Sequence, residues 1–134
     1  MKILAFNFEK LSAERLSNTK DNIKVGTHVD ISDISEVKAE LLSPSGLILG
    51  VKFKFSLDYA PNFAKVEIAG HFLVEVDKSL GEKTLKEWKN KKLTDEIQYS
   101  LINVILEKST LKALDLEEQI GIPLHFPMPS YKKE

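Results

Sequence analysis

Apolar and polar positions alternate most strictly between Leu47 and Asp77. Val51, Phe53, Phe55, Leu57 and Tyr59 share one face with Lys52, Lys54, Ser56 and Asp58 between them, the period-two pattern of a half-buried strand. After Ala60-Pro61-Asn62, Val66, Ile68, Phe72, Val74 and Val76 repeat the pattern, and their alternates are Lys65, Glu67, Ala69, His71, Leu73 and Glu75. Pro and Asn suit a tight turn, so the stretch predicts a long antiparallel hairpin that the remaining elements must pair with or cover.

The first half of the chain predicts two further strands. Leu4, Phe6 and Phe8 are spaced by two, and Leu11, Ala13 and Leu16 then leave that phase, which predicts a strand over Ile3 to Leu16 that bends or bulges midway. A helix over Glu9 to Leu16 is the competing reading. Ser17 to Asn22 is a polar loop, after which Ile23, Val25, Thr27, Val29 and Ile31 alternate with Lys24, Gly26, His28 and Asp30. Ser32-Asp33 interrupts this strand, Ile34 to Leu42 extends it irregularly, and Ser43-Pro44-Ser45-Gly46 turns into the hairpin.

Beyond Asp77 the pattern becomes helical. No Pro or Gly occurs between Gly81 and Gly121. Thr84 and Glu87 fit a capping box for a short helix from about Leu85 to Lys92, with Lys89, Lys91 and Lys92 complementing its C-terminus. Thr94-Asp95-Glu96 opens the main helix, in which Ile97, Leu101, Val104, Ile105 and Leu111 recur at helical spacing. Ile102 and Leu106 widen its apolar stripe beyond what one small sheet covers, so Ile97, Leu101, Ile102, Ile105 and Leu106 are the expected oligomer contacts. Asp115 and Glu118 suggest one more capping box before Gly121. Three prolines in Pro123 to Pro129 then enforce an extended, unpaired tail.

Composition narrows the function classes. A length of 134 residues fits one domain spanning 1–134, and a net charge of -1 with 29% charged residues offers no field for nucleic acid or an anionic membrane. Without cysteine there is no disulfide or thiolate chemistry; with no signal-like start or apolar span, a soluble cytoplasmic protein is expected.

Candidate chemistry is sparse. His28, His71 and His125 are far apart in sequence and read as surface or partly packed side chains rather than metal ligands. The serines of the Ser43 to Gly46 turn lack the setting of a nucleophile elbow, and no glycine loop opens a helix to cradle phosphate. Capping accounts for Asp95, Glu96, Glu117 and Glu118. No enzyme chemistry, metal or cofactor is called for. What stands out is apolar material around turns and in the tail: Leu42, Leu47, Leu49, Tyr59, Phe63, Ile122, Leu124, Phe126 and Met128. Taken singly these are satellite packing; together they suggest grooves that accept extended polypeptide.

The element order, with Phe72-Leu73-Val74-Glu75-Val76 as the strand before the helices and Pro123-Leu124-His125-Phe126 as a Pro-Leu-x-apolar loop after them, resembles the SecB family of export chaperones from about Phe6 to Pro129. Ser100-Leu101-Ile102-Asn103 stands where that family carries an aromatic, proline and arginine signature, so holding clients is the closer analogy than delivery to an export motor. The resemblance implies an α+β fold, a four-stranded antiparallel sheet followed by a short and a long helix on one side. It also implies a dimer of dimers and an ATP-independent holdase that binds unfolded polypeptides in apolar grooves. Two rivals use the same elements. One is a dedicated chaperone or partner of a single antitoxin-like client. The other is a hot-dog-like thioesterase or small-ligand binder, which needs a carboxylate facing the sheet from mid-helix and has only Glu107 nearby.

Overall fold

A computed structural model describes residues 1–18, 22–38 and 46–132. Leu42 and the turn residues Ser43, Pro44 and Ser45 lie outside the described residues. Four antiparallel strands, β1 (Lys2–Arg15), β2 (Lys24–Glu36), β3 (Leu47–Ala60) and β4 (Ala64–Val76), precede two helices, α1 (Lys78–Trp88) and α2 (Asp95–Ile120). This is the expected α+β architecture. The strand order is β1-β4-β3-β2, so β3 and β4 are central and β1 and β2 are the edges.

The central hairpin folds as its alternation dictates. The odd-numbered side chains of β3 and the even-numbered ones of β4 are buried, while Lys52, Lys54, Asp58 and Lys65 face water. Asn62 makes the turn with φ at 50°, which its short polar side chain tolerates. On the outer face Glu67 accepts from Lys65 at 2.7 Å and Lys10 at 2.5 Å, and these hydrogen bonds hold its carboxyl down to about 2.

The phase break in β1 is two β-bulges. Register shifts fall between Ile3 and Ala5 and between Phe8 and Lys10, leaving Leu4 and Glu9 as extra residues. The bulge at Glu9 returns Leu11 and Ala13, opposite Ile68 and Val66, to the face already occupied by Phe6 and Phe8. Extended geometry therefore wins over the competing helix. Ser32 does the same in β2, bringing Ile34 opposite Val51 after Ile31 opposite Phe53.

The core centres on three rings. Phe6 stacks on Phe72 at 5.6 Å between centroids, and Phe53 lies 5.2 Å from Phe6. Gly70 makes room for them: a Cβ there would stand 2.2 Å from the Asn7 carbonyl oxygen and 3.1 Å from the Phe53 ring.

The helices depart from the sequence reading in two places. α1 starts at Lys78, because Gly81 packs without a side chain on Leu47 and Val76 and lets the helix begin beside the end of β4. Thr84 is consequently not a cap; it is buried mid-helix and its hydroxyl donates to the Leu80 carbonyl at 2.8 Å. α2 runs unbroken through Asp115 and Glu118, so no second helix starts there. Thr94 is its N-cap residue, as expected, although no side-chain hydrogen bond completes that cap.

Both helices end in a Schellman motif. In α2 the Ile122 N–H donates to the Glu117 carbonyl and the Gly121 N–H to that of Glu118, with Gly121 left-handed at φ 69°. In α1 the Lys92 N–H donates to the Glu87 carbonyl and the Lys91 N–H to that of Trp88, with Lys91 left-handed at φ 57°.

α2 touches all four strands through Ile97, Leu101, Ile105, Ser109, Ala113 and Glu117. Small side chains in the middle of this line bring the helix axis close to the sheet. The Ser109 hydroxyl is buried there with no hydrogen-bond partner among the described residues.

Two substitutions test this packing in urea-melt experiments. Gly70→Ala must displace β1 or Phe53 and is expected to destabilise the fold by about 1–3 kcal/mol. Ser109→Ala removes an unsatisfied buried hydroxyl and improves helix propensity, so a gain of about 0.5–1 kcal/mol is expected.

Candidate functional site: a groove along the sheet edge

Among the described residues β2 pairs with β3 on one side only, and its other edge has no strand partner there. Its apolar side chains face the helical layer, yet α1 and α2 cover them incompletely: Val29 and Ile31 are half-buried and Val25 is exposed. Between this strand, the end of α1 and the start of α2 lies an open cleft of about 670 Å³. Val29 and Ile31 line it from the sheet, Trp88 and Leu93 from the end of α1 and the following loop, and Gln98 and Ile102 from α2.

The walls are held in place. The Trp88 indole N–H points to the Asp33 carboxylate at 3.4 Å, and the Lys91 ammonium lies 4.6 Å from the indole centroid, a cation–π contact. Lys91 and Lys92 complete the rim with Asp30 and Ser32.

The tail is fixed at the other end of the helical layer. Glu117, fully buried in the last turn of α2, accepts the His125 backbone N–H at 2.8 Å through one oxygen and meets the His125 Nδ1 with the other. Tyr59 donates its hydroxyl to the Pro123 carbonyl at 2.6 Å. Burial, and after it the Glu117 carboxylate, raises the Tyr59 phenol well above its usual 10, so it remains a donor. Arg15 donates to the Gly121 carbonyl at 2.9 Å and spreads over the Phe63 ring. The His125 ring also stands edge-on to Phe55, whose cross-strand partner on β2 is Val29.

These placements divide the expected client contacts. Leu47, Leu49, Tyr59, Phe63 and Ile122 are core residues, which corrects their reading as water-facing groove material. The reason is strand alternation: Leu47, Leu49 and Tyr59 fall on the helix-covered face of β3, while Phe63 and Ile122 are clamped by the Arg15 and Gly121 contacts. Leu124, Phe126 and Met128 are 42%, 55% and 58% exposed, so they alone of the described set meet water. Ile97, Leu101 and Ile105, expected at a subunit interface, are buried against their own sheet; Ile102 and Leu106 are half-buried.

One further expectation changes. Glu117 is not a capping residue but the buried anchor of the tail, and His125, partly packed as expected, is its partner. Glu107, the carboxylate considered for a thioesterase-like site, is exposed. His71 pairs with Glu9, the bulged residue of β1 beside it. Val29, Ile31, Trp88 and Leu93 were not singled out in sequence, although the alternation of β2 marked its half-buried face.

No family model matches the chain, and no curated protein sequence matches it. Among solved structures the chain is similar to the Mycobacterium tuberculosis Rv1957 SecB-like chaperone in complex with a ChAD peptide from the Rv1956 HigA1 antitoxin. The two are 12% identical over 99% of this chain and 92% of that one, with a TM-score of 0.46. A likeness this distant leaves the groove's chemistry to be read from its own side chains. Among the described residues no helix is long and apolar enough to cross a membrane, and no cluster of potential ligands could hold a metal ion.

The tail anchor is tested by a double-mutant comparison. His125→Phe strands the Glu117 carboxylate in the core and is expected to destabilise the protein by about 3 kcal/mol or more in urea melts. Adding Glu117→Leu removes the stranded charge and is expected to restore most of that loss.

Proposed function

We propose that the chain is a distant SecB-like holdase that keeps non-native polypeptide extended along the open edge of β2. The observation that supports this is the coincidence of two features: a strand edge without a partner among the described residues and, beside it, a cleft bounded by Trp88, Leu93 and Ile102. An extended segment adds backbone hydrogen bonds to the edge, each worth about 0.5–1.5 kcal/mol net. It also lowers apolar side chains into the cleft, each worth roughly 1.5–3 kcal/mol. Little in that set reads sequence, so binding is broad. Association costs offset much of it, so single sites hold weakly and several subunits gain by avidity.

Leu124, Phe126 and Met128 add exposed apolar surface on the tail, apart from the residues that line the cleft. Assembly into a homo-oligomer, a dimer of dimers by the family analogy, draws on the side of α2 left open by one sheet, where Leu106 is half-buried and Tyr99 and Leu111 are exposed. Ile102 belongs instead to the client groove.

Purified protein without nucleotide is expected to suppress aggregation of a chemically unfolded client near stoichiometric amounts, with light scattering in the same buffer reporting an oligomer. Ile102→Glu places a charge in the groove wall and is expected to reduce suppression roughly tenfold, because burying an uncompensated charge opposes client docking. Phe126→Ser with Met128→Ser is expected to weaken suppression less. A well-folded monomer that leaves aggregation unchanged would overturn the reading. Competition by unrelated unfolded chains separates a general holdase from a partner of one client.

A further inference from the structure

The groove carries a charge preference as well as an apolar floor. Lys91 and Lys92 both line the cleft and are exposed, and among the described residues neither ammonium has an ion-pair partner. Asp33 meets the Trp88 indole, while Asp30 lines the cleft from β2, where its backbone pairs opposite Lys54. The rim of the cleft therefore carries two positive charges against one negative.

The backbone at this rim is shaped at a cost. Lys91 occupies the left-handed C′ position of the α1 Schellman motif, the place filled by Gly121 in α2. A β-carbon is crowded there and glycine is the ordinary solution. The side chain that replaces it is laid over Trp88, the groove's own wall and the chain's single tryptophan. Non-glycine residues held in this conformation cluster at ligand clamps.

Resting on the holdase reading, we infer that the preferred client is an extended segment whose apolar residues are flanked by carboxylates, the apolar part entering between Trp88 and Ile102 and the acidic flank meeting Lys91 and Lys92. Acidic apolar segments are selected and lysine-flanked ones are disfavoured, because the latter bring like charge to the rim.

Trp88 emission reads the groove directly. The probes are a tryptophan-free peptide with a Leu-Phe-Leu core flanked by glutamates and its counterpart flanked by lysines, titrated into the full chain at low salt. The glutamate peptide is expected to bind roughly fivefold or more tighter, about two exposed ion pairs' worth. The difference should shrink as salt screens it. Lys91→Gly with Lys92→Ser is expected to remove most of the difference, and Lys91→Gly alone is expected to keep or raise the melting temperature, so loss of preference is not loss of fold. Equal affinity, or tighter binding of the lysine peptide, with a Trp88 shift in both cases would overturn the charge preference and leave the groove reading standing. Suppression of client aggregation with no Trp88 response to either peptide would place clients elsewhere and overturn both.

Discussion

The packing of α2 through every fourth residue is the constraint on which the rest depends. An α-helix turns about 100° per residue, so a step of four overshoots a full turn by roughly 40°. The buried line from Ile97 to Glu117 takes five such steps and winds through roughly 200° about the helix. Its first residues and its last therefore face different directions. The first half meets the twisted sheet; by Glu117 the buried side looks toward Tyr59 and the tail. The fold needs a third covering element at that end, and the proline-rich tail supplies it. At the other end no described residue covers β2 in an equivalent way, and the groove is the gap that results.

The Glu117–His125 pair follows from the same rotation. A carboxylate on a line of Ile, Leu, Ser and Ala would be untenable in an apolar core. Here it meets a backbone N–H and an imidazole nitrogen from one residue, and that residue is fixed by its own chain connection to the Schellman turn at Gly121. Such a pair adds little net stability over an apolar alternative, but it permits one registration of the tail and penalises others. Since three prolines prevent the tail from pairing as a central strand, a specific polar contact is the device available to place it.

Much of the fold was legible because its strands are long and one-sided. The hairpin from Leu47 to Val76 follows from alternation alone, and the misfit of Leu11 and Ala13 with Phe8 announced the bulge at Glu9. Helix ends were harder. Gly81 suggests a boundary by propensity, yet close packing on Leu47 and Val76 makes it an interior residue. The site was largely hidden for a topological reason: nothing local to β2 says that it is an edge. The burial of Glu117 was within reach, since extending Ile97, Leu101 and Ile105 by further steps of four arrives at it. Helix capping, a local explanation, displaced that long-range one.

The two sheet edges are treated differently, and this bears on function. β1 carries two bulges and places the charged Glu9 at one of them, features that blunt strand addition. β2 keeps regular pairing with β3 from Lys24 to Ile31 and bulges only at Ser32, beside the cleft. A long regular edge next to exposed apolar side chains is an aggregation hazard unless a partner uses it or charge guards it. Lys91 and Lys92 stand at this place, in a turn whose backbone would be easier with glycine. On the holdase reading proposed above, the same two charges that discourage indiscriminate strand addition would leave the groove open to chains whose own charges compensate them, joining protection of the edge to choice of client.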